Sequence, residues 1–258
     1  MTARNIADVI CIGAQKASTS WLHSVLTCFA PFEMFPDHDP ITSTTKEAHF
    51  WDWNHHRGVE WYRDLMARPT PDSLMLDFTP EYAILNADQI AECKELNPDA
   101  KVIYLLRDPT ARAISALKMY MLWHLGEGHA EPLKLGDIFE KLMKDAQVPR
   151  HADYAGNAAR WRAQYPDMLI LNYEDFHTDR EASIRQVLSY LGAADAQPRP
   201  ADARRFQQLL TSRVWESADF AISREVQMYL HGQTWAARLE AERSLGMRFT
   251  EFDPAAAE

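Results

Sequence analysis

Short apolar runs that each lead into a helical stretch are the strongest constraint on how this chain can fold. Asp8-Val-Ile-Cys-Ile-Gly13, Leu74-Met-Leu-Asp77, Lys101-Val-Ile-Tyr-Leu-Leu-Arg107 and Asp167-Met-Leu-Ile-Leu-Asn-Tyr173 have this form. Each is brief and largely apolar, as a strand buried on both faces is. Helical patterns follow them. The stretch from Ser18 carries Trp21, Leu22, Val25 and Leu26 on one face, with Ser or Thr as its cap. Another helix is predicted from about Asn86 to Leu96, stopped by Asn97-Pro98. Asp108-Pro109 opens a third, with aspartate as cap and proline in the first turn. Helices are also predicted from about Asp179 to Leu191, ended by Gly192, and from about Ser223 to Leu245. Strands separated by helices imply right-handed crossovers, hence a parallel sheet with helices on both faces. Pro31 to Thr45, Gly126 to Pro132 and Ala193 to Pro200 read as loops. No repeat or long linker divides residues 1–258, so the expectation is one α/β domain.

Composition narrows the function. At 47% hydrophobic and 25% charged, the 258 residues can bury a core without staples. The 27 basic and 37 acidic residues sum to −10, which argues against coating nucleic acid or an anionic membrane. A small basic pocket inside an acidic shell remains open. No apolar run approaches the roughly 20 residues that span a bilayer, so no stable membrane insertion is expected. The first residues lack the pattern of a signal peptide, and the expected location is cytoplasmic. Cys11, Cys28 and Cys93 are odd in number without metal-type spacing, which suits buried, reduced thiols.

Three places could carry chemistry. The turn Gly13-Ala-Gln-Lys16-Ala-Ser18-Thr19-Ser20 joins a strand to a helix N-terminus, where free N–H groups favour an anion. Lys16 adds a charge and the hydroxyls add donors. The lysine position differs from that of a nucleotide P-loop, Gly-x4-Gly-Lys-Ser/Thr. The competing reading is a solvated loop. Second, Lys46-Glu47-Ala-His49-Phe50-Trp51, read as a strand, turns Glu47 and His49 to one face, where carboxylate and imidazole can share acid–base work. The competing reading is a surface strand. His55-His56 has no partner of metal-ligand spacing, and no metal is expected. Third, Arg107 ends its strand and Ser115 follows about two helical turns on, beyond the carboxyl end of a parallel sheet where ligands collect. An arginine there can hold a phosphate bidentately. The alternative is an ion pair of Arg107 with Asp108 or Glu174.

Together these segments resemble sulfotransferases that use 3′-phosphoadenosine 5′-phosphosulfate (PAPS), above all the heparan-sulfate type and its bacterial relatives. Ile12 to Leu22 is similar to the 5′-phosphosulfate loop of that family. Lys46-Glu-Ala-His-Phe-Trp51 with Gly58-Val-Glu-Trp-Tyr62 resembles its Lys-Glu-x-His-Phe-Phe stretch and Trp-Tyr sequel. Asp77-Phe-Thr-Pro-Glu-Tyr82 corresponds to acidic-Lys-Ser/Thr-Pro-x-Tyr, and Lys101 to Ser115 resembles the 3′-phosphate strand. Tyr154 to Trp161 and Leu169 to Phe176 resemble later elements of bacterial members. The resemblance runs from about residue 8 to 192.

The resemblance implies in-line sulfuryl transfer from PAPS to a hydroxylated small molecule, lipid or saccharide, leaving adenosine 3′,5′-bisphosphate (PAP). It implies Glu47 as general base, His49 as helper or substitute, and Lys16 at the leaving group. Gln15, Lys16, Ala17, Ser18, Thr19 and Ser20 would hold the 5′-phosphosulfate, and Arg107 and Ser115 the 3′-phosphate. Arg213 is a faint match to the basic segment that closes over the nucleotide. Ser18 stands where the family usually has glycine, so the loop must avoid left-handed angles or accept strain. Phe78 replaces the usual lysine, which weighs against a polyanionic glycan acceptor. The alternatives are a P-loop-type small-molecule kinase and a non-catalytic nucleotide-binding protein.

Overall fold

The fully buried strand β1 (Val9–Cys11) lies at the centre of a five-stranded sheet. The computed structural model describes residues 5–37, 45–127, 129, 131–211 and 219–255. Its other strands are β2 (Phe32–Glu33), β3 (Leu74–Asp77), β4 (Lys101–Leu106) and β5 (Leu169–Asn172). All paired neighbours are parallel, in the order β2-β3-β1-β4-β5. The helices are α1 (Thr19–Leu26), α2 (Val59–Leu65), α3 (Ala87–Leu96), α4 (Pro109–Leu125), α5 (Asp137–Asp145) and α6 (Val148–Ala152). They continue as α7 (Tyr154–Arg162), α8 (Tyr173–Thr178), α9 (Arg180–Tyr190), α10 (Ala203–Thr211) and α11 (Arg224–Leu245).

Local chemistry accounts for the boundaries. Asp108 accepts from the N–H groups of Thr110 at 2.8 Å and Ala111 at 3.1 Å, starting α4 where the sequence predicts. Asn86 and Gln89 form a capping box at α3. The strands are shorter than the apolar runs that announce them, β1 spanning Val9–Cys11, β4 Lys101–Leu106 and β5 Leu169–Asn172, and two differences have a clear local cause. The segment read as a loop from Pro31 contains β2, because the Leu74 N–H donates to the Pro31 carbonyl at 2.9 Å and Phe32 is fully buried. A two-residue strand carries no periodicity to read. The last strand ends at Asn172, not Tyr173, because the Asn172 side chain caps α8 through Glu174 N at 2.8 Å.

The main core fills the space between the sheet and α1, α3, α7 and α9. A second cluster packs α4, α5 and α11 together through Leu117, Phe139 and Leu230. The three cysteines are free and buried, as expected. Among the described residues no helix is long and apolar enough to cross a membrane. The chain builds the β3 side of β1 before crossing to β4. The order therefore reverses beside β1, and the crevice beyond the carboxyl ends of β1 and β4 is where such a sheet binds ligands.

Candidate functional site

The turn after β1 is tied to β4 by Leu105 N donating to Gly13 O at 2.7 Å and Ala14 N donating to Leu105 O at 2.6 Å. Gly13 has φ 126°, and a Cβ there would stand 2.8 Å from the Pro80 carbonyl oxygen, so glycine is required. Lys16 and Ser18 take left-handed angles, φ 66° and 67°. At Ser18 the chain therefore accepts the strain that glycine would avoid. The Ser18 hydroxyl does not cap α1; it meets His177 Nε2 at 3.0 Å. The first turn of α1 thus keeps its N–H groups clear of any side-chain cap. Gln15 and Thr19 are buried, Ala17 is fully so, and Ser20 is half-buried at the start of α1. Burial, with the charges of Arg107 and Lys46, lowers the pKa of the Lys16 ammonium.

Glu47 and His49 do meet, but not on a strand. The segment is irregular, with His49 at φ 48°, and it is shaped by β3 and the turn beyond it. Phe78 N donates to Lys46 O at 2.8 Å, His49 N to Thr79 Oγ1 at 3.3 Å, and Phe50 N to the Tyr82 hydroxyl at 2.8 Å. The fully buried Asp77 accepts from Ala48 N, Thr79 Oγ1, Tyr82 and Tyr62. His49 Nε2 then lies 3.2 Å from Glu47 Oε2, and its Nδ1 lies 2.8 Å from Asp52 Oδ2. Trp53, 55% exposed, stacks on the imidazole with ring centres 3.6 Å apart. Burial would lower the His49 pKa, but the Asp52 and Glu47 carboxylates reverse this and hold it at about 10. Burial works to raise the Glu47 pKa, yet the Lys46 charge and the His49 hydrogen bond bring it well below the carboxylate range. Both shifts favour a carboxylate paired with an imidazolium.

Both groups connect to the turn. Lys46 ion-pairs with Glu47 and donates to Thr19 Oγ1 at 3.4 Å. Gln15 Nε2 donates to Glu81 Oε1 at 2.8 Å. Ligand-type atoms of Glu81, Glu47 and His49 lie within 4.8 Å of one another. That trio is the set among the described residues that could hold a cation. With Nδ1 tied to Asp52 and Nε2 facing Glu47, His49 is oriented for either role, an imidazolium between carboxylates or a cation ligand. Burial raises the Glu81 carboxyl pKa. Glu81 occupies the unspecified position of Thr-Pro-x-Tyr, and Asp52 follows the second motif without a signal of its own; sequence reasoning passed over both.

Arg107 leaves β4 at the same end of the sheet. Its Nη1 donates to Lys16 O at 2.9 Å, and its guanidinium lies over the Tyr173 ring at 4.7 Å. It pairs with neither Asp108 nor Glu174. Its remaining edge is held by Glu251, with Nε to Oε2 at 2.7 Å and a second contact from Nη2 to Oε1. Asp108 is engaged instead by Arg238 at 2.9 Å. Ser115 is buried in the second turn of α4. Arg213 lies outside the described residues.

The chain matches the family model described as "Sulfotransferase domain" over residues 7–215. It is 26% identical over 193 residues to heparan sulfate glucosamine 3-O-sulfotransferase 3B1 of Mus musculus, covering 74% of this chain and 47% of that protein. It is 28% identical over 212 residues to bifunctional heparan sulfate N-deacetylase/N-sulfotransferase 3 of Homo sapiens, covering 74% of this chain and 23% of that one. The chain thus spans about half or less of the length of these curated relatives. Its fold resembles the crystal structure of a sulfotransferase from Alicyclobacillus acidocaldarius, with TM-score 0.67, 17% identity, and coverage of 94% of this chain and 97% of that one. The family model takes in both the turn after β1 and the Glu47–His49 pair, and the chain belongs to the sulfotransferase family.

Proposed function

We propose that this protein moves a sulfuryl group from PAPS to an acceptor hydroxyl, with Glu47 as general base. The observation that carries the reading is the tie between the acid–base pair and the anion-binding turn, through Lys46 to Thr19 and Gln15 to Glu81. Fit to PAPS is supported by Gly13, whose missing Cβ keeps the turn close, and by the adjacent cations Lys16 and Arg107. The turn from Gln15 to Ser20 and the start of α1 take the 5′-phosphosulfate, and Arg107 and Ser115 take the 3′-phosphate.

In the reaction the acceptor oxygen forms a bond to sulfur while the bond from sulfur to the 5′-phosphate oxygen breaks. The acceptor proton passes to Glu47, a weak base in this pairing that suffices because the hydroxyl becomes strongly acidic as its oxygen bonds to sulfur. Lys16 and the N–H groups of the turn stabilise charge growing on the leaving phosphate, as fixed dipoles and cations do in phosphoryl transfer. His49, already protonated between two carboxylates, orients Glu47 and does not compete for the proton. Phe78 packs against His23 in the core, with ring centres 5.3 Å apart, so it brings no cation to the acceptor side. The loss of the lysine that Phe78 replaces suits a neutral hydroxyl compound better than a sulfated polymer.

The test pairs binding with turnover. PAP should raise the melting temperature where ATP with Mg²⁺ does not, by the linkage of ligand to folded state. A screen of hydroxyl acceptors with PAPS should yield a sulfate ester by mass spectrometry. Glu47→Gln should keep PAP binding and lose about 10²–10⁴ in the single-turnover rate. Stabilisation by ATP with Mg²⁺ alone would support the kinase reading instead. Wild-type transfer by Glu47→Gln with an unchanged pH profile would place the base elsewhere.

A further inference from the structure

We propose that Glu251 is an intramolecular competitor for the donor's 3′-phosphate and thereby sets the affinity of the donor site. The inference rests on Arg107 being the anchor for that phosphate. A guanidinium presents its donors in a planar fork that suits one carboxylate or one phosphate at a time. In this structure the Nε and Nη2 edge of that fork is filled by the two oxygens of Glu251, while Nη1 is committed to the Lys16 carbonyl. A phosphate that uses the same edge must first move the carboxylate.

The carboxylate is not there by the chance sweep of a loose terminus. Glu174, at the start of α8, accepts from Thr250 N at 2.6 Å and from Glu251 N at 3.1 Å, and also from the Thr250 hydroxyl. Phe249 and Phe252 on either side are buried. Arg238 of α11 binds the Phe249 carbonyl and the Asp108 carboxylate together. Side chains from α8, α11 and the start of α4 thus hold the backbone around Glu251, and only its side chain need swing aside. Glu251 compensates charge where Arg107 abuts the turn that carries Lys16. With the donor bound, the phosphate supplies that compensation.

Apparent affinity is reduced by the fraction of molecules in the competent state. A Glu251 seated about nine-tenths of the time weakens donor binding by about tenfold. Calorimetry on the full chain tests this with two probes, PAP and adenosine 5′-phosphosulfate, which lacks the 3′-phosphate. Glu251→Gln should tighten PAP about tenfold and leave adenosine 5′-phosphosulfate nearly unchanged, which separates competition from a general loss of negative charge. Arg107→Ala should weaken PAP, and adding Glu251→Gln to it should gain nothing further. If Arg107→Ala weakens PAP but Glu251→Gln leaves it unchanged or weaker, the competitor role is overturned and the donor assignment stands. Equal gains for both probes also overturn it. If Arg107→Ala leaves PAP affinity unchanged, the assignment of Arg107 and the competitor role fall together.

Discussion

His49 is enclosed by the carboxylates of Glu47 and Asp52, and this makes its proton part of the stability of the fold. Its pKa stands at about 10, above the ordinary 6.5. A group raised in the folded state contributes stability that is complete below its unfolded pKa and is lost as pH rises through the folded one. The stability difference between wild type and His49→Gln, from urea unfolding at pH 6, 8 and 10, should therefore shrink as pH rises. A difference that does not change with pH would show that the two carboxylates leave the His49 pKa unshifted, and one that grows with pH would show a neutral imidazole in the fold. At Lys16 the expected loss is kinetic. Lys16→Ala should lower turnover by about 10²–10³, the usual effect of removing one preorganised contact to developing charge, with little change in melting temperature. Both residues were visible in the sequence because motifs carry them. Glu81 was not, since a single glutamate in an unspecified position has no signal until Gln15 is seen donating to it.

At the scale of elements, two segments show how shape is imposed from outside. The Glu47–His49 stretch has no regular structure of its own and takes its form from Asp77, which collects four hydrogen bonds at the end of β3. Asp77→Asn replaces one acceptor oxygen by an amide donor, which a neighbouring hydroxyl must turn to accept. It should cost about 1–3 kcal/mol in urea unfolding, as a poorly compensated buried polar group does. A loss below about 1 kcal/mol would mean the segment is held otherwise. The turn before α1 shows the opposite bias, because its backbone is strained from within. Ser18→Gly should exceed Ser18→Ala in stability by about 1 kcal/mol, since both lose the hydroxyl contact and only glycine relieves the left-handed angle. Equal stabilities would show the angle relaxing without cost. The strand reading of Glu47 and His49 brought the right residues together for a different reason, because alternation along a strand and a pinned irregular segment can both turn positions two apart toward one space.

Across the whole molecule, the buried strands were legible as apolar runs, and parallel pairing followed from the helices between them. The short edge β2 and the strap around Glu251 were not legible, because both depend on contacts with residues far away in sequence. Phe32 is ordered by β3, and Glu251 reaches Arg107 across 144 positions. The buried cysteines offer a different use of the same architecture. Cys11 lies in β1 just before the turn that leads to α1, Cys28 follows α1, and Cys93 lies in α3, all without exposed surface. Burial pushes the pKa values of Cys11 and Cys93 up to about 12, so neither supplies much thiolate in the closed protein. Modification by a disulfide reagent therefore has to wait for the structure to open. The thiols act as three internal clocks, read by mass spectrometry without any label being added to the chain. If the domain opens as one unit, the clocks run at one rate and PAP slows them together, whereas an earlier reaction at Cys28 would locate a separate local opening at the end of α1.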